Sequence, residues 1–102
     1  MKPALAFSDV MPHTIEVFTA GCPLCERTLA AVETGKCASC VMIERNLAND
    51  PMAHRDLVRR YKIRSVPTIV IDGRIKFEGE PDFNWMCGDE FYVWLERTYP
   101  MR

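Results

Sequence analysis

No apolar run in the sequence approaches the roughly 18 residues needed to cross a bilayer, so a membrane span is not expected. A marked excess of either charge is missing too. A formal net charge of -1 gives no field to hold nucleic acid or an anionic membrane, and no nucleic-acid-binding motif is present. Internal repeats and low-complexity tracts are absent, which excludes solenoids. Histidine is scarce: His13 and His54 stand alone, flank no cysteine, and read as surface or capping residues rather than metal ligands. The opening MKPALAFSDVMPH has one Lys and a short apolar patch broken by Pro3 and Ser8. It lacks the apolar core of a signal peptide, so a cytoplasmic protein is expected.

What is present fits one domain over residues 1–102, with 1–13 as an N-terminal extension. Hydrophobic residues make up 48% and charged residues 26%, ordinary proportions for a globular chain with a single core. Five cysteines in a cytoplasmic chain point to redox or metal chemistry rather than a structural disulfide framework.

TIEVFTA (14–20) is β-branched and aromatic and predicts a strand, with Ile15 and Val17 on one face and Glu16 and Phe18 on the other. PLCERTLAAVET (23–34) predicts a helix: Pro23 suits its first turn, Leu24, Thr28, Ala31 and Val32 form its apolar stripe, and Gly35 stops it. CVMIERNL (40–47) predicts a second strand, and Asp50-Pro51 opens a helix through Tyr61 with Leu57, Val58 and Tyr61 inward. TIVI and RIKFE flank Asp72-Gly73, a type I′ hairpin signal. A last helix starts near Asp89, with Phe91, Trp94, Leu95 and Thr98 at helical spacing. The order β-α-β-α-β-β-α predicts an α/β fold: a mixed four-stranded sheet with helices on both faces, its first two strands parallel.

Cys22-Pro-Leu-Cys25 falls where the first strand gives way to the helix. Helix-terminal N–H groups and the macrodipole favour a thiolate at Cys22. Cys25 lies one turn on, placed to resolve a mixed disulfide at Cys22. The bland alternative is two buried, unreactive cysteines. Val66-Pro67 opens a strand: on the residues alone a trans proline at a first strand position suffices, and a cis bond is the alternative.

FTAGCPLC after a strand, followed some forty residues later by YKIRSVPTIVIDGRI, resembles the thioredoxin fold, in particular its small thioredoxin-like and glutaredoxin-like redox proteins. The resemblance covers about Thr14 to Tyr99. It implies a thiol–disulfide oxidoreductase with Cys22 as nucleophile and Cys25 as resolving thiol. It also implies a cis Pro67 facing the pair, and a substrate strand pairing with the Val66 backbone beside Thr68. No bound cofactor is required. The implied partners are a protein or small-molecule disulfide as substrate and a reductase or low-molecular-weight thiol as electron donor. The chain departs from thioredoxins at Gly21, where they carry tryptophan, and at Pro23-Leu24, where they carry Gly-Pro; Glu16 is a loose counterpart of their buried acid. MCGDEF (86–91) loosely resembles the glutathione-docking turn of glutaredoxins, after a longer loop.

Cys37-Ala-Ser-Cys40 is a possible second pair. One zinc ion on all four sulfurs is excluded by the intervening helix: about 11 residues at about 1.5 Å each separate its ends by about 16 Å, against zinc–sulfur bonds of about 2.3 Å. Cys37 and Cys40 precede the parallel second strand and so belong at the opposite pole. They are expected to be a local disulfide, idle thiols, or a soft-metal or second redox site. Cys87 is expected to approach Cys22, or to be incidental. Phe83, Trp85 and Met86 are expected at the active pole, as a substrate lip or a core lid. RDLVRRYKIR reads as a solvated helix face. Two further functions stay open: a soft-metal transfer module using either CxxC pair, and a non-catalytic thioredoxin-like adaptor.

Overall fold

The computed structural model describes residues 12–86 and 88–101. The order is β1 (Thr14–Thr19), α1 (Pro23–Gly35), β2 (Val41–Asn46), α2 (Arg55–Tyr61), β3 (Thr68–Ile71), β4 (Ile75–Glu78) and α3 (Asp89–Thr98). The strands form one mixed sheet in the order β2-β1-β3-β4. β1 runs parallel to β2 with Thr14 opposite Val41, and antiparallel to β3 with Ile15 opposite Ile71. β3 and β4 form the antiparallel hairpin. At its turn Asp72 and Gly73 have φ of 54° and 68°, the left-handed pair that a type I′ turn demands. This is the mixed four-stranded α/β sheet expected from the residue pattern, and the architecture that the resemblance to thioredoxin-like proteins implies.

Period-two alternation separates the two faces of the sheet. Ile15, Val17, Ile69 and Ile71 join Val32 of α1 and Phe91 and Leu95 of α3 in the main core. The opposite face carries Phe18, which meets Tyr61 of α2 edge-on with ring centres 6.3 Å apart. Burial of the five large side chains Ile15, Val17, Phe18, Ile69 and Ile71 supplies about 1.5–3 kcal/mol each before entropy is counted. The outer edge of β4 is covered: Lys76 N–H donates to the Tyr99 carbonyl (3.1 Å) and Met101 N–H to the Arg74 carbonyl (2.8 Å). β2 forms the other edge of the sheet.

Several local expectations shift. The buried stripe of α1 is Cys25, Thr28 and Val32, while Leu24 is 43% exposed and Ala31 faces outward. In α3 the inward set is Phe91, Tyr92 and Leu95, and Trp94 and Thr98 are exposed. α2 starts at Arg55 rather than at Asp50-Pro51. The Asp50 carboxylate does accept from the Ala53 N–H (3.1 Å), but Arg55 N–H then bonds the Met52 carbonyl three residues back, a turn rather than an α-helical step.

Phe83 and Trp85 are not at the pole where β1 ends. After Glu78 the chain turns back and descends along α1. A shallow groove between the two runs from Arg27 and Glu80 at one end to Gly35 and Trp85 at the other. Trp85 is 6% exposed and packs on Phe91 with ring centres 5.2 Å apart, so it closes the core at the far pole. Gly35 is the last residue of α1, and it is glycine because a Cβ there would overlap the Trp85 carbonyl. No helix among the described residues is long and apolar enough to cross a membrane.

Gly35→Ala therefore tests the far-pole contact. Helix propensity favours alanine by about 1 kcal/mol, yet overpacking against fixed backbone costs about 1–3 kcal/mol or more. The expected outcome is a net loss of stability, seen as a lower chemical-denaturation midpoint; an unchanged or higher midpoint means that Trp85 yields.

Candidate redox site

β1 is paired with β3 through Phe18 and with β2 through Thr19, and Ala20 and Gly21 carry the chain out of the sheet. Gly21 has a φ of 78°, a left-handed conformation that glycine takes without strain and that swings the chain into α1. Cys22 is then the N-cap of α1, with extended backbone (φ -83°, ψ 162°), and its sulfur accepts a hydrogen bond from the Cys25 N–H at 3.2 Å. Pro23 takes the first helical position, where an amide hydrogen would have no partner. Cys25 follows one turn on, and the two cysteines form a disulfide with Cα atoms 5.0 Å apart. Their surroundings differ. Cys22 is half-buried at the helix tip, while Cys25 is fully buried beneath it.

The Val66–Pro67 peptide is cis. Phe18 pairs with Thr68, so the β1–β3 register brings Pro67 level with Thr19, at the sheet end from which Cys22 emerges. Pro67 is buried and its carbonyl accepts from the Gly79 N–H at 2.8 Å. Val66 is half-buried, and no hydrogen bond among the described residues engages its backbone. Thr68 differs from expectation. It is fully buried and its hydroxyl donates to the Ser65 carbonyl (2.7 Å), so it supports the loop from within instead of lying beside an incoming chain.

A thioredoxin-domain family model matches residues 13–85. The chain belongs to the thioredoxin-domain family. An uncharacterized 9.0 kDa protein in the mobE 3′ region of Acidithiobacillus ferrooxidans is 36% identical over 63 residues, covering 60% of this chain and 69% of that protein. A thioredoxin domain with a disulfide at its CxxC motif fits a redox role.

Ion pairs brace this end of the thioredoxin domain. Arg64 forks onto both oxygens of Glu78 at 3.0–3.3 Å, holding the loop before Pro67 against β4. Arg27 forks onto Glu80 (2.9 and 3.2 Å), tying α1 to the descending loop. This contact raises the Arg27 guanidinium pKa and holds the Glu80 carboxyl below its ordinary value, first through the hydrogen bond. Glu16 lies on the α2 face of the sheet, is 7% exposed, and pairs with Arg45 at 2.9 Å. The register of β1, which sequence left open, thus directs the Glu16 carboxylate to an arginine of β2.

The second CxxC pair, Cys37 and Cys40, lies at the far pole. Cys40 is a free thiol, 6% exposed, and is not bonded to Cys37, which is itself disulfide-bonded. Of the three readings left open for this pair, the local Cys37–Cys40 disulfide is therefore not formed, and a CASC dithiolate for a soft metal is not in place. No cluster of three or more His, Cys, Asp or Glu side chains suited to a metal occurs among the described residues. The expected approach of Cys87 to Cys22 falls outside the described residues. His13 behaves as a capping residue: its Nδ1 lies 2.6 Å from Asp72, and its ring stacks on Tyr92 with centres 3.9 Å apart. His54 occupies the N-cap of α2 without a side-chain capping bond. Sequence reasoning missed Tyr92, which accepts a hydrogen bond from the Trp85 indole (3.3 Å) and borders Cys40. Its only sequence signal was a place on the rim of the α3 stripe.

Burial, with the nearby Cys40 sulfur adding to it against the Trp85 hydrogen bond, pushes the Tyr92 phenol up to about 12. The unfolded chain ionises this group near its ordinary value of 10.0, so the neutral form is favoured by folding. Its contribution is complete below pH 10 and is lost as pH rises through 12. Denaturation midpoints should fall over that window, and Tyr92→Phe should flatten the fall; an equally steep fall in the variant would assign the effect to other groups.

Proposed function

We propose that this thioredoxin-domain protein is a thiol–disulfide oxidoreductase working through Cys22 and Cys25. The observation that carries this reading is the asymmetry of the pair: a half-buried sulfur at the helix N-terminus, and a fully buried one a turn behind it. An attacking sulfur must be reached by its substrate and favoured as a thiolate, and the helix terminus provides both. A resolving sulfur must be close and shielded from outside disulfides, as Cys25 is.

In the reduced protein, Cys22 thiolate attacks one sulfur of a substrate disulfide. A Cys22–substrate disulfide forms, and the first substrate thiolate leaves and takes a proton from solvent. Cys25 loses its proton and attacks the Cys22 sulfur, expelling the second substrate thiol. Two electrons pass to the substrate and the Cys22–Cys25 disulfide, the form in the structure, results. A reductase or low-molecular-weight thiol then restores the dithiol, in keeping with a cytoplasmic setting. An extended substrate segment docks on the unengaged backbone of Val66 beside the buried Pro67, with its disulfide toward Cys22. The substrate is a protein or small-molecule disulfide, and no bound cofactor takes part.

Reduction of insulin disulfides by the dithiol protein, followed as turbidity with dithiothreitol as donor, should exceed the uncatalysed rate. Cys22→Ser should return it to background. Cys25→Ser should also lose turnover but accumulate a mixed disulfide visible by mass. Wild type no faster than background, on insulin and on small aromatic disulfides alike, would overturn the assignment.

A further inference from the structure

α3 has two faces of different character. Phe91, Tyr92 and Leu95 turn into the core. Glu90, Val93, Trp94 and Arg97, at i, i+3, i+4 and i+7, share the opposite face, and all four are exposed. The two apolar members are large: Val93 is 49% and Trp94 43% exposed. The apolar patch continues onto the preceding loop, where Met86 is 54% exposed and Phe83 meets Trp94 edge-on with ring centres 5.2 Å apart. Two open hollows border Trp94. One, of about 440 Å³, is lined in part by Phe83 and Phe91, and the other, of about 330 Å³, in part by Val93 and Arg97. We propose that this face is a self-association surface, on which α3 of a second copy packs antiparallel about a two-fold axis.

The order of residues along the helix selects a second copy over an unlike partner. An acid, Glu90, stands at one end of the face, Val93 and Trp94 fill the middle, and a base, Arg97, stands at the other end. Read backwards, this order is complementary to itself. Glu90 with Arg97 and Val93 with Trp94 share one midpoint along the helix, so a single two-fold axis through it satisfies both pairings at once. Glu90 of each copy then meets Arg97 of the other, and the two apolar centres face each other.

Both charges are available for this contact. Among the described residues neither Glu90 nor Arg97 forms an ion pair within the chain, and Arg74 takes the neighbouring Glu96 instead, at 3.7 Å. Each charge also suits its own helix end, and antiparallel pairing sets the two helix dipoles in opposition. Packed helix axes lie about 8–10 Å apart, a gap that Trp94 fills and that Glu90 and Arg97 side chains span. An interface built on one helix of 10 residues and a short loop is small, so the dimer forms reversibly with concentration. The face shares no residue with the Cys22–Cys25 pair or with the loop before Pro67.

Analytical ultracentrifugation of the full-length protein, from low micromolar to near millimolar concentration, tests this. The sedimenting mass should rise from one chain toward two and stop there, because an isologous face closes on itself. One chain at every concentration, or growth beyond two, overturns the proposal. The same samples denatured without reductant should migrate as single chains. A two-chain band there assigns the association to an intermolecular disulfide and overturns the interface. Glu90→Arg and Arg97→Glu each set like charges against each other at both ends of the contact, and each should weaken association about tenfold. The double variant Glu90→Arg/Arg97→Glu restores opposite charges and should recover most of that loss. Both positions are exposed, so circular dichroism of these variants should match wild type. Single variants that associate as wild type does, or a double variant no better than the singles, overturn the antiparallel arrangement. Trp94→Glu, which buries a charge at the centre of the contact, should leave one chain throughout; a dimer of undiminished strength overturns the face itself.

Discussion

β1 is paired along both edges, parallel to β2 and antiparallel to β3, and Ile15 through Thr19 are buried on both faces. A strand held on four sides cannot slide by one residue without turning every side chain to the wrong face. That fixed register decides where the chain leaves the sheet, and so where Cys22 caps α1. It also sets Pro67 level with the same sheet end, because β3 is locked to β1 residue by residue. The redox pair and the loop opposite it are thus positioned by one backbone ladder.

Polar contacts then stiffen the periphery of that ladder. Asp72 ties the hairpin turn to the start of β1 through the Thr14 N–H (2.9 Å) and His13. Arg64–Glu78 and Arg27–Glu80 secure the loop before Pro67 and the loop after β4, and both pairs lie at the surface. Such exposed pairs add little stability individually; here they tie two loops to the sheet and to α1. Glu16–Arg45 is the more demanding case: Glu16 is buried, and removing Arg45 would leave its carboxylate without its arginine partner, a situation that costs several kcal/mol in a buried site.

Most elements were legible in the sequence because their signals are local. The β-branched run at 14–19, Pro23 after Cys22, and Asp72-Gly73 each carry a backbone requirement that neighbours do not override. Contacts between segments distant in sequence were not legible. Gly35 reads as an ordinary helix stop, and only the return of the 79–86 loop along α1 shows that its missing side chain makes room for Trp85. The same return moved the aromatic loop from the active pole to the far one. The stripe of α1 was misplaced by one position at Leu24 because that residue covers the exposed helix tip and not the core. For the sulfur atoms, spacing identified both CxxC pairs, but their bonding was not legible in it: Cys22 and Cys25 are joined, while Cys40 is a free thiol buried beside Tyr92.

The C-terminal segment that bonds along β4 has a consequence for how molecules of this protein meet. Unpaired strand edges are templates for intermolecular sheet growth, and small single-sheet domains are vulnerable to it. Tyr99 to Met101 occupy the β4 side, leaving β2, among the described residues, as the sheet edge without a strand beside it. β2 presents Glu44, Arg45 and Asn46 along half its length, so a second copy approaching edge-on meets charge before it meets an open ladder. The sheet thus resists polymerisation at one border by occupancy and at the other by charge.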